Sequence, residues 1–310
     1  MTPAPRGSRT GNRVTALRWA GLLRQLGHRV RIEPGWRSHA CDVLVAVHAV
    51  KSAAAVLAAA RERDDLPIVL LLSGTDVYPT FAPGEGSRAA LQRADALVAL
   101  QPLVVDLLPA ELRGKARAIT QSATAVDAPK GPRFRAALLA HLREVKQPLV
   151  AIEAFAKLPN ELDAELLLAG GVLDDDYARR VERALAATPN ARWLGELSRR
   201  DGKSLLASSH VCVVPSSSEG GANVVSEAIA AGTPVLCTAI PGNLGLLGDD
   251  WPATFAVGDA DGLAALAHRA ATDAAFYEQL RDRTRALQPG VAPAREREAW
   301  RALLAELTGG

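Results

Sequence analysis

Short apolar runs alternate with helix-periodic stretches along the 310 residues of the chain. In the first part, the apolar runs predict strands, and apolar positions three and four residues apart predict the helices between them. The predicted strands are 30–32, 41–47, 68–72, 96–100 and 116–120, and the predicted helices are 14–26, 53–63, 87–93 and 104–108. Strands that alternate with helices are typical of a parallel, doubly wound α/β sheet.

The same alternation resumes after the polar, proline-bearing segment 124–133, which we interpret as a domain boundary. The predicted strands here are 134–140, 164–169, 191–194, 211–214, 234–238 and 254–257. The predicted helices are 149–157, 177–187, 204–208, one from near 221 to 231, 262–271, 276–287 and 293–307. We therefore predict two α/β domains, residues 1–123 and 133–288, and a C-terminal helix within 289–310.

The composition is that of an ordinary globular chain. Apolar residues make up 48% and charged residues 23%, and the formal net charge of +2 is too small to indicate a nucleic-acid partner. No apolar run approaches the roughly 18 residues of a membrane span, and no signal peptide is recognisable, so we expect a cytoplasmic protein. The three unclustered cysteines, Cys41, Cys212 and Cys237, are interpreted as small buried side chains in a reducing compartment.

Segment 211–248 predicts one βαβ unit, and its sequence is VCVVPSSSEGGANVVSEAIAAGTPVLCTAIPGNLGLLG. A helix that starts near Gly221 presents free backbone N–H groups and its positive dipole end to whatever precedes it, which suits a phosphate. Glu219 on the turn and Glu227 about two helical turns later lie on a similar face. This combination favours a sugar nucleotide, although a Rossmann-type turn with two solvated glutamates fits the spacing equally well.

The pair Glu219 and Glu227, with seven residues between them and followed by AIAAGTPVL and IPGN, resembles the donor-site signature of family 4 nucleotide-sugar glycosyltransferases. The wider set of EGGANVVSEAIAAGTPVL, IPGNLGLLG, WLGEL, HLREVK, GTDVY and GNRVTALRWA resembles the selenosugar synthases of selenoneine biosynthesis and covers most of the chain. The resemblance implies the GT-B fold, in which two Rossmann-like domains face a cleft. It also implies that the C-terminal helix crosses back to the N-terminal domain.

One expected element is missing from the N-terminal domain. In the family that the chain resembles, a strand at the centre of the sheet precedes the first loop. Here residues 1–5 stand in that place, and they include Pro3 and Pro5, which a central strand does not tolerate. We therefore expect the natural chain to begin upstream of Met1.

The resemblance also implies a donor site in the second domain. Glu227 would hold the ribose hydroxyls and Glu219 the hydroxyls of the donor sugar. Lys146 and Arg143 would grip the diphosphate as charge builds on the leaving UDP. His141 stands where the family usually has an arginine, and it either contacts the donor or caps a strand or helix. Backbone groups complete the site, those of Leu197 for the base and those of Gly220, Gly221, Ala222, Asn223 and Val224 for the diphosphate or the sugar.

The acceptor is expected to bind the first domain. The loop 7–13 is rich in glycine and arginine and could form an anion nest, and Arg13 on a first helical turn opposes the dipole unless an anion is present. Polar residues also follow the predicted strands, where ligands of parallel sheets collect. The candidate acceptor-binding residues are Gly11, Asn12, Arg13, His48, Lys51, Thr75, Asp76 and Gln101. No Ser-His-Asp arrangement, Glu-His pair or metal-ligand cluster is recognisable, and we predict neither a metal nor a cofactor.

The reaction that the resemblance implies joins selenophosphate to the anomeric carbon of UDP-N-acetylglucosamine or UDP-glucose, releasing UDP and phosphate. Deprotonated selenophosphate needs positive charge for positioning and no strong general base. One alternative is a family 4 enzyme with an ordinary hydroxyl acceptor, and another is a two-lobed binding protein without catalysis. We expect no nucleic-acid partner and no integral membrane association, while peripheral membrane contact of the basic helix 13–26 stays open.

Overall fold

The structure, a computed structural model, describes residues 1–8, 10–78 and 81–309. It divides into two compact units. One contains Met1–Gln121 and the C-terminal segment from Pro293, and the other is Ser122–Ala292. Each unit has its own parallel β-sheet with helices in the connections, which confirms the predicted α/β class.

The first unit has a four-stranded sheet in the order β1-β2-β3-β4. Every residue of the second and third strands is buried, which explains why these segments are continuous apolar runs instead of alternating ones. The strands are β1 (Leu44–Val47), β2 (Ile68–Leu71), β3 (Ala96–Ala99) and β4 (Ala116–Ala118). The helices up to this point are α1 (Gly11–Gln25), α2 (Ala49–Glu62), α3 (Gly74–Val77), α4 (Glu85–Arg93), α5 (Leu103–Leu107) and α6 (Ala110–Arg113).

The predicted strand at 30–32 is wrong, because these residues are irregular in the structure. A strand needs a hydrogen-bonded neighbour along its length, and here Thr2 N donates to Glu33 O at 3.0 Å, just beyond the predicted strand. Met1 borders β1 on the same side, since Val47 N donates to Met1 O at 3.0 Å and the Met1 ammonium donates to Val45 O at 2.7 Å. Met1 and Thr2 are too few residues to form a continuous β-ladder of backbone hydrogen bonds.

The second unit has a six-stranded sheet in the order β10-β9-β8-β5-β6-β7. Its strands are β5 (Phe134–Leu139), β6 (Ala164–Ala169), β7 (Ala191–Trp193), β8 (Val211–Val214), β9 (Val235–Thr238) and β10 (Thr254–Phe255). Its helices are α7 (Pro148–Ala156), α8 (Asp175–Ala186), α9 (Arg199–Ser208), α10 (Asn223–Ala230), α11 (Pro241–Leu247), α12 (Ala260–Thr272) and α13 (Ala274–Leu287). The chain order reverses between β5 and β8, and in doubly wound sheets this switch point is where ligands bind.

Side-chain caps fix where several helices of the second unit begin. Asp174, Ser198, Asp259 and Asp273 each accept a hydrogen bond from a backbone N–H in the first turn of the helix that follows. Such caps satisfy amides that have no partner inside the helix, and each typically contributes about 1 kcal/mol.

The last helix, α14 (Pro293–Thr308), packs against α1 in the first unit. The rings of Trp19 and Trp300 meet edge to face with centroids 4.7 Å apart. Beside them, the buried carboxylate of Glu296 accepts hydrogen bonds from the Arg18 guanidinium and, at 3.0 Å, from Trp19 Nε1. This aromatic and ionic cluster attaches the end of the chain to its first helix.

Candidate functional site

The switch point of the second unit brings together the segments that follow β5 and β8. Ser217 N, after β8, donates to Val145 O at 2.9 Å, in the 3₁₀ turn Glu144–Lys146 that follows β5. Beside this link, Lys146 Nζ lies 2.5 Å from Glu219 Oε1, and the two side chains are only 20% and 10% exposed. The structure therefore places two of the predicted catalytic residues in direct contact.

Two residues that the sequence analysis left without a role support the turn that carries Glu219. A Cβ on Gly242 would lie 2.0 Å from Glu219 O, so only glycine allows α11 to approach this turn. Asn243 Nδ2 donates to Thr238 O at 3.1 Å, and Thr238 Oγ1 in turn donates to Ser216 O at 2.6 Å. The IPGN motif was visible in the sequence, but its contact with the glutamate turn depends on the sheet order.

Helix α10 begins where the donor-binding amides were predicted. Its N-cap residue, Ala222, makes no side-chain cap, and its first turn contains no acidic residue. Gly221 has a φ of 142°, which glycine adopts without strain. Glu227 lies half-buried on the same helix, eight positions after Glu219. The first turn of α10 thus presents amides that no side chain of its N-cap satisfies, which is the usual local chemistry of an anion site.

Other predicted donor residues lie on the loops after β5 and β7. Gly171 N donates to His141 Nδ1 at 3.2 Å, so the neutral imidazole carries its proton on Nε2. Arg143 is exposed at the start of the 3₁₀ turn that includes Lys146. Leu197 is half-buried and packs against the core of the second unit. His141 therefore caps the loop after β6 through one ring nitrogen and has a donor on the other.

In the first unit, three predicted acceptor residues form one hydrogen-bonded chain. His48, directly after β1, has its Nδ1 2.7 Å from Asp76 Oδ1, and its Nε2 lies 3.2 Å from Thr75 Oγ1. The sequence analysis recognised no such arrangement, because His48 and Thr75 are 27 positions apart and meet only through the β1–β2 pairing. The predicted absence of a Ser-His-Asp arrangement concerned serine, whereas this hydrogen-bonded chain has a threonine, Thr75, at its exposed end.

Gln101 serves a local structural purpose. It is fully buried, its Oε1 accepts from Leu103 N at 2.7 Å, and its Nε2 lies 3.0 Å from the Tyr78 hydroxyl. Lys51 is exposed on the first turn of α2. The buried Gln121 follows β4, and its Nε2 donates to Thr15 on α1 at 3.0 Å.

The predicted anion nest precedes α1. Gly11, Asn12 and Arg13 form the first turn of this helix, which has no acidic residue there and no side-chain cap from Thr10. The Thr10 hydroxyl instead lies 2.9 Å from the hydroxyl of Ser8. Arg9, which the prediction included in the loop, lies outside the described residues.

Within the described ranges, no group of three or more His, Cys, Asp or Glu side chains is arranged to hold a metal ion. No helix in this part of the chain has the length and apolar character needed to cross a membrane. Cys212 and Cys237 are free and fully buried, and burial raises the pKa of both thiols, while Cys41 is half-buried.

The family model described as "Glycosyl transferases group 1" matches residues 125–287, just over half of the chain. Glycosyltransferase 1 domain-containing protein 1 of Xenopus tropicalis is 32% identical over 111 residues, which is 36% of this chain and 32% of that protein. The matched region therefore spans about a third of this relative's length.

Two solved structures show the same fold at low sequence identity. HepE of Anabaena, in complex with UDP-glucose, has a TM-score of 0.70 and 15% identity, over 86% of this chain and 79% of that one. Sucrose-phosphate synthase of Thermosynechococcus elongatus has a TM-score of 0.73 and 18% identity, over 86% of this chain and 74% of that one. These similarities confirm the predicted GT-B fold class.

Proposed function

Because the chain belongs to the glycosyl transferases group 1 family, we propose that it transfers a sugar from a UDP-sugar to a nucleophile. The observation that carries this proposal is the contact between Lys146 and Glu219 at the switch point of the second sheet, beside α10. A cation and a carboxylate next to uncapped helix amides match a ligand that has both phosphates and hydroxyls. The complexes of HepE with UDP-glucose support UDP as the nucleotide.

Each group has a task in this mechanism. Lys146 and the first amides of α10 stabilise the negative charge that grows on the β-phosphate as the anomeric C–O bond breaks. Arg143 adds a second positive charge on the same loop. Glu219 accepts hydrogen bonds from hydroxyls of the donor sugar, and Glu227 accepts them from the ribose. Preorganised charge of this kind typically contributes about a hundred-fold or more per group to the rate.

We further propose selenophosphate as the acceptor and a selenosugar as the product, with UDP-N-acetylglucosamine or UDP-glucose as the donor. The support is the sequence resemblance, which extends beyond the donor motif to GTDVY and GNRVTALRWA in the first unit. The basic first turn of α1, with Arg13 and without an acidic residue, is chemically suited to an anionic acceptor. The protein would do this work in the cytoplasm.

A second candidate acceptor is an ordinary hydroxyl group. The observation that favours it is the chain of hydrogen bonds from Thr75 through His48 to Asp76, because a hydroxyl nucleophile must lose a proton during the transfer. Donor chemistry is the same for both acceptors, so the two candidates differ only in the first unit.

One experiment tests the donor and the acceptor together. The protein is incubated with UDP-glucose or UDP-N-acetylglucosamine, each with selenophosphate, with a simple alcohol or with buffer alone, and UDP release and product masses are measured. Selenium joined to the sugar supports the selenosugar proposal, and a glycoside of the alcohol supports the hydroxyl alternative. UDP that binds tightly while no sugar is transferred under any condition would instead identify a binding protein.

A further inference from the structure

Gln147 has a backbone conformation that glycine adopts easily and other residues rarely adopt. Its φ and ψ are 46° and 44°, in the left-handed region, where the Cβ of an L-residue crowds the backbone. The next residue is Pro148, and a residue before proline normally prefers an extended conformation. Strained conformations persist only where the surrounding structure fixes them, and they concentrate at functional sites. Gln147 directly follows Lys146, so this strain lies beside the proposed donor site.

The hydrogen bonds of Gln147 show that it joins two segments. Upstream, Lys146 N donates to Arg143 O at 3.0 Å within the 3₁₀ turn. Gln147 N donates to Glu144 O at 3.0 Å and closes this turn. Downstream, Val150 N donates to Gln147 O at 3.1 Å, in the first turn of α7. Gln147 is therefore the one residue between the turn that carries Lys146 and the helix that follows.

Both segments that meet at Gln147 are anchored. The side chain of Phe155 on α7 is fully buried in the core of the second unit. In the turn, Val145 O accepts a hydrogen bond from Ser217 N at 2.9 Å. Because neither segment can rotate freely, another backbone conformation at Gln147 would displace Lys146, which lies between Val145 and Gln147.

The backbone of Gln147, rather than its amide group, joins the two segments. Its side chain makes no capping hydrogen bond to the first turn of α7. In the part of the chain that the structure describes, its Oε1 is buried and has no hydrogen-bond partner. The left-handed φ and ψ of this residue therefore set the direction of the turn.

From this arrangement we propose that Gln147 is a positioning residue, whose left-handed backbone holds the ammonium group of Lys146 against Glu219, an inference that rests on the proposed function. An extended or right-handed backbone at Gln147 would turn Lys146 away from Glu219. The site would keep its carboxylates and the amides of α10, but it would lose positive charge where the bond to UDP breaks. Sugar transfer should therefore depend on the conformation of residue 147, and only through Lys146.

Two variants separate the backbone of residue 147 from its side chain. Gln147→Gly adopts the left-handed conformation freely and lacks the amide group, whereas the branched Cβ of Gln147→Val strongly disfavours this conformation. The readout is kcat for the hydrolysis of UDP-glucose by water, measured as UDP release, and far-UV circular dichroism checks folding. We expect Gln147→Gly to stay within about three-fold of the wild type and Gln147→Val to lower kcat about ten- to a hundred-fold.

Two kinetic results would overturn the positioning role. One is a kcat of Gln147→Val equal to that of the wild type. The other is a Gln147→Gly variant that is folded but ten-fold or more slower than the wild type, because the side chain would then be needed. This second comparison decides the question even if Gln147→Val does not fold.

A double-mutant cycle tests whether residue 147 acts through Lys146. In the Lys146→Ala background, Gln147→Val should lower kcat by less than about two-fold, because the ammonium group that it would displace is already absent. If the double variant instead shows the full loss of both single variants, residue 147 acts on the unit as a whole and the positioning role is refuted.

A spectroscopic measurement separates this inference from the proposed function. The ¹⁵N signal of the Lys146 ammonium group, assigned by its loss in Lys146→Ala, reports the contact with Glu219. It should be the same in the wild type and Gln147→Gly, and shifted or lost in Gln147→Val. An unchanged signal in Gln147→Val would refute the positioning role even for an active enzyme. If the wild type releases no UDP from any UDP-sugar, the proposed function fails, and this signal still decides whether Gln147 positions Lys146.

Discussion

Lys146 Nζ lies 2.5 Å from Glu219 Oε1, so the two charges that face the proposed donor compensate each other. A diphosphate that binds here has to share Lys146 with this carboxylate. We therefore expect the contact to weaken nucleotide binding and to hold both side chains in place for the sugar. The same residues should therefore respond differently in assays of binding and of transfer.

Glu219→Gln removes the competing charge and keeps the size of the side chain. We expect UDP to bind about three- to ten-fold more tightly, because Lys146 then faces the diphosphate without an ionic partner. Sugar transfer should fall about a hundred-fold, since the sugar hydroxyls lose a charged acceptor. Calorimetry with UDP and an assay of product formation measure the two effects. UDP affinity that is unchanged or weaker would contradict this account of the pair.

Lys146→Ala should weaken both binding and catalysis. We expect transfer to fall about a hundred-fold or more while the protein stays folded, because the proposed site then lacks the ammonium group that would stabilise the leaving UDP. Lys157→Ala is the matched control, because Lys157 lies on the same unit and pairs with Glu153 and Asp261 on the surface. Steady-state kinetics and far-UV circular dichroism test the pair. Activity close to wild type in Lys146→Ala would remove this residue from the mechanism.

Glu227→Ala should act mainly on nucleotide binding. If its carboxylate accepts hydrogen bonds from the ribose, the loss corresponds to about 1.5–3 kcal/mol, or roughly ten- to a hundred-fold in the affinity for UDP. The analogue 2′,3′-dideoxy-UDP provides the control, because it lacks the hydroxyls that Glu227 would bind. Calorimetry should show the two nucleotides binding the variant almost equally. A similar loss of affinity for both would assign Glu227 a structural role.

Glu296→Ala should destabilise the first unit. The buried carboxylate accepts hydrogen bonds from Arg18 and Trp19, and breaking this buried ion pair costs about 3–5 kcal/mol. Glu298→Ala is the control on the same helix, since Glu298 is exposed and pairs with Arg301 on the surface. Urea unfolding followed by tryptophan fluorescence is suitable, because Trp19 and Trp300 lie in the cluster. Equal midpoints for the two variants would show that the cluster contributes little.

His210 should make the stability of the second unit depend on pH. Burial lowers the pKa of this ring below its usual 6.5, and the charges of Lys130 and Arg135 lower it further. The unfolded chain then binds more protons, so the contribution of His210 is complete above about pH 6.5 and is lost as the pH falls towards its folded pKa. His210→Asn can still accept the hydrogen bond from Arg135 N and should show a smaller decline of unfolding free energy between about pH 7 and 5. An identical decline in both proteins would exclude this role.

Fully buried strands and long helices could be predicted, because a strand buried on both faces leaves a continuous apolar run and a helix with one buried face leaves a repeated pattern. The strands Val211–Val214 and Ala164–Ala169 have the predicted bounds, and α14 extends one residue beyond the prediction. Very short helices could not be predicted in this way. Gly74–Val77 and Ala110–Arg113 are about one turn long, so their sequences contain no helical period. The false strand at 30–32 has a suitable apolar pattern, but a strand also requires a neighbour, which its own residues do not encode.

The composition of the donor segment could also be predicted, since Glu219, Lys146 and the start of α10 were all assigned from the sequence. The contact between Lys146 and Glu219 could not be predicted, because these residues lie 73 positions apart and meet only where β5 and β8 become neighbours. The need for glycine at position 242 could not be predicted either, because it arises from the close approach of α11 to the turn that carries Glu219.

Local patterns in the chain by themselves determined the α/β class, most of its helices and strands, and the residue types available for donor chemistry. They could do so because burial and helix geometry act on neighbouring positions. Tertiary structure alone decided which of those residues meet: the order of strands in each sheet pairs Lys146 with Glu219 and places Thr75 and Asp76 on either side of the His48 ring. Hydrogen bonds and ion pairs form over about 3 Å, and only the folded chain sets such distances between remote positions.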